Sequence, residues 1–287
     1  MAHKTLVGGT AYDITGGKTL VEGTSYSVKN GKVLIGGAAY DISFGTTIGD
    51  LGVGESVFLN VDGVSTEFII VHQGLPSSLY DSSCNGTWLL MKDIYEKRVW
   101  DSSNNDYANS DIHVYLNGSF LGLLDADIQS AIQQVKIPYR NGTGSGGTTA
   151  AGSSGLSTKI FLLSGYEMGW TTSTNPYFPV DGAKLDYFTS GTTTAANYLR
   201  IARYSGISTN WWLRSPYCNS NNGSTNALNV NNNGNWNNTN CSNSYGIRPA
   251  LKVPSILFED SEAGLDLSKI PTDDLLQEIN RRLAEKA

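Results

Sequence analysis

The chain has 287 residues, 39% hydrophobic and only 16% charged, which is enough to bury a large core under a surface kept wet by something other than charge. A net charge of -6 and a pI near 5.1 exclude the basic footprint that phosphate contacts need, so no nucleic-acid partner is expected. Most of the acidity sits in the tail: Glu259 to Ala287 carries eight acidic and four basic residues, so the main body is almost neutral.

The first 48 residues contain a repeat. "LVGGTAYDITGGKT" begins at Leu6, "LVEGTSYSVKNGKV" at Leu20 and "LIGGAAYDISFGTT" at Leu34, a period of 14 that aligns Tyr12, Tyr26 and Tyr40. Each copy reads as two short strands around a Gly turn, and one copy alone cannot bury its apolar face. The copies form either a small decorative sheet or a trimeric prism that attaches the protein to something larger. The start, "MAHKTLVGGT", lacks the apolar run of a signal peptide, and no window approaches a membrane span; ordinary export and membrane insertion are not expected.

From Gly49 to Val253 the pattern predicts one mixed domain. "SVFLNVDG" and "TEFIIVHQG" read as a hairpin turned at Asp62-Gly63, and "TWLLMKDIYEKRVW" as a further buried strand. "NSDIHVYLNGSFLGLLDADIQSAIQQV" is the best helical text, with Ser110 and Asp125 as caps. Asn141 to Thr158, without a charge or an aromatic ring, reads as a flexible loop. In the tail, "TDDLLQEINRRLAEKA" predicts a short helix capped by Thr272, with Leu275, Leu276, Ile279 and Leu283 as its apolar stripe.

Catalytic signatures are sparse. His3, His72 and His113 stand beside no Cys and in no metal-ligand spacing, and His113 reads as structural. Asp101, Asp106 and Asp111 are spaced too widely for a calcium loop and read as turn and capping residues. Cys84, Cys218 and Cys241 form no CxxC pair; Cys218 and Cys241 could bridge, but reduced thiols are the favoured state. No cofactor, no metal and no catalytic residue is expected.

The distinctive text is "NALNVNNNGNWNNTNC", Asn226 to Cys241. From Ser215 to Ile247 there is no charged residue, while 13 Asn lie between Asn219 and Asn243. Propensity would make this a loop, yet Leu228 and Val230 alternate with Asn229 and Asn231, "NNNG" offers a tight Asn-Gly turn, and Trp236 stands between Asn235 and Asn237. The pattern predicts a hairpin with an apolar back and an amide front. Each Asn there offers a donor and an acceptor at little entropic cost, as antibody loops do; a low-complexity polar loop is the plain alternative.

"WWLRSP" at Trp211 and "GIRPAL" at Gly246, with "TWLLMKDIYEKRVWDSS", "DIHVYLNGSF" and "KIFLLSGYEM" before them, resemble the C-type-lectin-like fold of the formylglycine-generating-enzyme type over Gly49 to Val253. In the phage and bacterial proteins with this ending, the segment between the two motifs is what diversity-generating retroelements rewrite. The resemblance implies that the Asn codons, rich in adenine, are positions open to mutation, and that Trp211, Trp212, Arg214, Trp236 and Arg248 are fixed scaffold. It also implies a phage tail receptor-binding protein, a trimer on an N-terminal β-prism. Cys218 and Cys241 do not match the cysteine pair of the enzymes with this fold, so oxidase activity does not carry over.

The expectation is therefore an α+β protein in three parts: β repeats over 1–48, a C-type-lectin-like display domain over 49–254 with a variable segment over 217–245, and an acidic linker with a helix over 255–287. The expected ligand-binding face comprises Tyr217, Asn219, Asn221, Asn222, Asn226, Asn229, Asn231, Asn233, Asn235, Asn237, Asn238, Asn240, Asn243 and Tyr245. The expected partner is a protein or glycan on a host or other cell surface, with the protein itself a homo-oligomer, a trimer favoured, carried on a virion in preference to bacterial surface display. A formylglycine-type or carbohydrate-active enzyme and a purely structural virion protein are the alternatives.

Overall fold

A computed structural model describes residues 48–221 and 224–255 in full and, before them, the backbone of six short strands. The chain divides into two compact units, the larger being Leu51–Ser255. The proposed C-terminal helix and Asn222 lie outside the described residues.

The N-terminal strands are β1 (His3–Val7), β2 (Thr10–Ile14), β3 (Lys18–Val21), β4 (Thr24–Ser27), β5 (Asn30–Ile35) and β6 (Ala38–Ser43), paired as three antiparallel hairpins. The 14-residue repeat reappears in the pairing: Leu6 faces Ala11, Leu20 faces Ser25 and Leu34 faces Ala39. One repeat is thus one hairpin in one register.

In the larger unit the chain runs through β7 (Ser56–Val61), β8 (Val64–Gly74), β9 (Gly86–Met91), β10 (Glu96–Val99), α1 (Asp111–Tyr115), α2 (Ala126–Ala131), β11 (Val135–Ile137), β12 (Tyr139–Asn141), β13 (Thr148–Ala150), β14 (Leu156–Thr158) and β15 (Ile160–Phe161). It continues through α3 (Thr194–Tyr198), β16 (Arg203–Tyr204), β17 (Ile207–Ser208), β18 (Trp211–Pro216), β19 (Asn226–Val230), β20 (Trp236–Asn240), β21 (Ser244–Ile247) and β22 (Ala250–Val253). Short helices among many strands make the unit α+β.

Two five-stranded sheets organise it. The first has the order β15-β22-β9-β8-β7 and the second β10-β21-β18-β19-β20. Asp62 and Gly63 both adopt positive φ, 53° and 72°, and turn β7 into β8 as expected. The text "TWLLMKDIYEKRVW" is not one strand: β9 is buried throughout in the first sheet, whereas β10 alternates exposure at the edge of the second. Charge explains the break, since Lys92, Asp93, Glu96 and Lys97 cannot follow β9 into the core.

The helical text forms, but in pieces. Ser110 caps α1 by accepting from the His113 N–H at 3.2 Å, and the helix then passes through a π turn at Leu116–Phe120 and a tighter turn at Leu121–Leu123. Asp125 sits at the start of α2 without capping it, its carboxylate accepting from Asn60 Nδ2 at 2.8 Å instead. The expected flexible loop over 141–158 is also corrected. Asn141 pairs with Thr148 in the β12–β13 hairpin, and β14 pairs with β11, so backbone pairing gives this Gly-rich text order without charge or aromatic anchors.

One core cluster draws on both sheets: Val71, Trp88 and Leu90 come from the first, Trp211, Leu213, Leu228 and Val230 from the second, and Phe161, Leu163 and Trp170 from the segment between. Each fully buried large apolar side chain contributes about 1.5–3 kcal/mol to folding. The two sheets are joined through Arg248 and Pro249, because β21 ends at Ile247 and β22 begins at Ala250. "GIRPAL" is therefore the crossing from one sheet to the other.

Candidate functional site

β18, the "WWLRSP" strand, lies at the centre of the second sheet and is buried at all six residues. Trp211 and Leu213 face the core. Trp211 Nε1 donates to the Arg200 carbonyl at 3.0 Å, and Trp212 Nε1 to the Arg98 carbonyl at 3.0 Å, so both indoles are satisfied. Arg214 donates to both oxygens of Glu167, at 2.6 and 2.7 Å, and to the carbonyls of Leu162, Asp181 and Pro138. Every guanidinium nitrogen has a fixed partner.

A second carboxyl joins this group. Ser215 Oγ donates to Asp181 Oδ2 at 2.7 Å and accepts from the Gly165 N–H, while Tyr80 donates to Glu167 Oε1 at 2.7 Å. Burial pushes the Asp181 carboxyl up to about 6, against the pull of Arg214 and of Ser215. Burial opposes the charge on Arg214, but the contacts with Glu167 and Asp181 prevail and hold its pKa above the usual range. Arg248 completes the frame: its Nε donates to the Met91 carbonyl at 2.7 Å and its guanidinium lies 5.0 Å from the Trp211 ring. The five expected scaffold residues are thus four buried ones and Trp236, which is half-buried and packs edge-on against Phe178 at 5.1 Å.

On this frame stands the Asn-rich hairpin. Val230 pairs with Trp211 on one side and Trp236 on the other, and Leu228 joins the same core face. Asn229 pairs with Trp212 and Asn237 on the opposite face, so the alternation follows the sequence pattern. The connecting turn is longer than an Asn-Gly pair. It occupies Asn231–Asn235, with Gly234 N–H bonded to the Asn231 carbonyl and Asn231 Oδ1 accepting from the N–H groups of Asn233 and Asn235. Gly234 has φ 79°, and a Cβ there would lie 1.9 Å from the Asn197 carbonyl oxygen.

The structure separates the expected binding residues into groups. Asn221, Asn233, Asn237, Asn240 and Asn243 are exposed; Asn219, Asn226, Asn231, Asn235, Asn238 and Tyr245 are half-buried. Asn229 is a correction: expected to point outward to a ligand, it is 0% exposed, and neither amide atom has a hydrogen-bond partner. Its face of the sheet is not free surface there. Trp212 fills the adjacent position, and the segment after β10 is tied to the same strands through Trp100 Nε1 to the Leu213 carbonyl and Asn105 Nδ2 to the Asn226 carbonyl. Tyr217 is also buried, 8% exposed, edge-on to Tyr177 at 5.5 Å. Tyr245 stacks against Trp212 at 4.9 Å.

Most Asn oxygens are spoken for by the chain itself. Asn219 accepts from the Asn221 N–H, Asn240 from Ser242, Asn235 from the Trp236 N–H and Asn237 from the Asn238 N–H, and Asn226 donates to Asn238. Such short-range capping is what Asn does well, and it explains how so polar a segment holds one conformation.

Sequence reasoning missed several members. Glu167 is the buried counter-ion of Arg214, Asp181 accepts from Arg214 through its backbone carbonyl, and Asn210 holds the far end of the hairpin by accepting from the Asn232 N–H at 2.9 Å. Exposed Tyr177 flanks Tyr217 from a loop 40 residues earlier in the chain. A carboxylate in otherwise uncharged "SGYEMGW" was the one available signal.

Other candidates for chemistry resolve into structure. Asp101 accepts from the N–H groups of Ser103, Asn104 and Asp111, and His113 contacts the Ala108 carbonyl and Thr158. Burial pushes the Cys218 thiol up to about 11 and that of Cys241 to about 12, and all three cysteines are free. Among the described residues no group of three or more His, Cys, Asp or Glu side chains is placed to hold a metal ion, and no helix is long and apolar enough to cross a membrane.

The fold and site define an α+β domain with a buried, ion-paired strand carrying an uncharged amide surface. Residues 85–255 match the family described as a domain of unknown function, DUF6273, and the chain belongs to that family. No curated protein and no solved structure matches the chain.

Proposed function

We propose that the protein is a ligand-binding protein with a C-type-lectin-like display domain, and that its Asn-rich segment is the recognition surface. The observation that carries this reading is the contrast within one sheet. β18 is immobilised by Arg214, Glu167 and two satisfied indoles, while two strands away β20 and its flanking turns present Asn233, Asn237, Asn240 and Asn243 with no charge from Ser215 to Ile247. A rigid support beneath an adaptable polar surface is what recognition requires. The ligand class is an exposed protein or glycan of a cell surface, reached by amide hydrogen bonds with Tyr177 and Tyr245 as aromatic neighbours.

On this reading the Asn codons are the targets of a diversity-generating retroelement, the three N-terminal hairpins assemble a trimeric attachment module, and the whole is a phage tail receptor-binding protein rather than an enzyme. The high thiol pKa values of Cys218 and Cys241 support the last point, since a protonated thiol is a poor nucleophile. The test is the locus. The coding DNA for Tyr217 to Tyr245 is expected to have a near-copy beside a reverse transcriptase gene, with differences confined to adenines of the template; differences spread over all four bases defeat the diversification reading. Light scattering on the full chain and on a chain starting at Gly49 tests the trimer, and a monomeric full chain removes it.

A further inference from the structure

Among the described residues β20 is the outer strand of its sheet, with β19 as its one neighbour. The pairing shows which of its backbone groups are left over. Cys241 N–H bonds to the Thr225 carbonyl and Asn231 N–H to the Asn235 carbonyl, so odd-numbered residues from 235 to 241 face β19. In an antiparallel ladder the alternate residues then point their N–H and C=O groups away from the sheet: Trp236, Asn238 and Asn240. Such an edge is a template for another strand, and proteins usually guard it with Lys, Pro or a bulge. β20 has no charge and no Pro.

What it has is Asn. Asn235 Oδ1 accepts from the Trp236 N–H at 2.9 Å, and Asn237 Oδ1 accepts from the Asn238 N–H at 2.9 Å. The outward carbonyl of Asn240 is taken by Asn243, through its N–H at 3.0 Å and its Nδ2 at 3.1 Å. Two outward donors and one outward acceptor of the edge are thus occupied from within.

We propose that Asn235 and Asn237 cap the open edge of this sheet and thereby keep β20 from pairing with β20 of a second copy of the chain. A second copy is the partner this edge fits. Two identical uncharged strands suffer no charge repulsion, and a two-fold axis beside Asn238 would set them antiparallel, each outward donor of one meeting an outward carbonyl of the other. The caps remove two of the three outward donors that such pairing needs. The proposal stands on the geometry of β20 and holds whatever the protein's ligand is.

Amide hydrogen exchange on the full chain reads the caps one at a time. Asn235→Ala should speed exchange at Trp236, and Asn237→Ala at Asn238, by about tenfold or more, because each outward N–H loses its acceptor on an unpaired sheet edge. Asn235→Asp and Asn237→Asp keep an acceptor at the same reach and should keep exchange slow. Sedimentation of the double variant Asn235→Ala/Asn237→Ala reads the consequence: association that grows with concentration beyond that of the native chain and of an Asn232→Ala control, so that any oligomer formed elsewhere cancels. Unchanged exchange in the two Ala variants overturns the proposal, as does a double variant that sediments like the native chain at every concentration.

Discussion

Arg214 and Glu167 form a two-bond ion pair, at 2.6 and 2.7 Å, with both side chains 0% exposed. At that depth water can replace neither partner. Removing one leaves an uncompensated charge in the core, so Arg214→Ala or Glu167→Gln should each destabilise the domain by about 3–5 kcal/mol. Replacing both with apolar residues of similar size should recover much of that loss, since the desolvation penalty of the pair disappears with it. Denaturant unfolding checks this. The single variants should lower the midpoint at unchanged slope, and a double variant no better than the singles would mean that the carbonyl bonds of Arg214, rather than the pair, dominate.

Asp181 should set a pH dependence of its own. Its Oδ1 is buried without a partner, and burial has raised its pKa from 3.8 to about 6. Because the folded value lies above the unfolded one, the folded state holds a proton that the unfolded state gives up between pH 4 and 6. Stability contributed by this group is therefore complete below pH 4, falls as pH rises towards 6, and stays reduced by about 3 kcal/mol above that. Glu67 and Asp101, whose pKa values are lowered, act in the opposite sense, so the native chain alone would mix the effects. The difference between native and Asp181→Asn isolates it. The native chain should lose ground to the variant from pH 4 to 6.5, and a constant difference would remove Asp181 as the cause.

Asn229 is the one member of the amide set that should respond as a core residue. It is fully buried with neither amide atom bonded, an arrangement that costs about 1–3 kcal/mol relative to a satisfied group. Asn229→Leu, with the same branched skeleton and no polar atom, should hold or raise the unfolding midpoint, while Asn229→Asp buries a charge and should lower it severely. Asn237→Asp, at the neighbouring but exposed position, should change stability by no more than about 0.5 kcal/mol. If Asn229→Leu were as damaging as Asn229→Asp, the amide would have to be engaged in bonds that its surroundings do not show.

This residue also marks where sequence reading reached its limit. Alternation placed Leu228, Val230 and Trp236 on one face and Asn229 and Asn237 on the other, because a strand has period two whatever its composition. It could not place the segment that begins at Trp100, because the bonds from Trp100 to Leu213 and from Asn105 to Asn226 span more than 100 residues. Glu167 and Asp181 escaped notice for the same reason: a partner 47 or 33 positions from Arg214 leaves no local pattern. The loop over 141–158 failed differently. Gly, Ser and Thr signal freedom in an isolated chain, and here backbone pairing with β11 and between β12 and β13 removes it. Ser110, Asp62-Gly63 and the 14-residue repeat were legible because capping, turn chemistry and hairpin register act within a few residues.

Gly234 ties the Asn-rich turn to the rest of the unit. Its φ of 79° lies in the left-handed region, where a non-Gly residue costs about 1–2 kcal/mol, and a Cβ would stand 1.9 Å from the Asn197 carbonyl oxygen at the end of α3. The second cost exceeds the first, since backbone must move on one side or the other. Gly234→Ala should therefore destabilise the domain by more than about 2 kcal/mol. It should also loosen the turn itself: the amides of Asn233, Gly234 and Asn235, held by bonds to Asn231, should exchange faster than in the native chain. Asn233→Ala, one position earlier and exposed, should do neither. A Gly234→Ala variant with native stability would show that the turn and α3 can separate without loss, and that the Asn-rich hairpin is held by β18 and β19 alone.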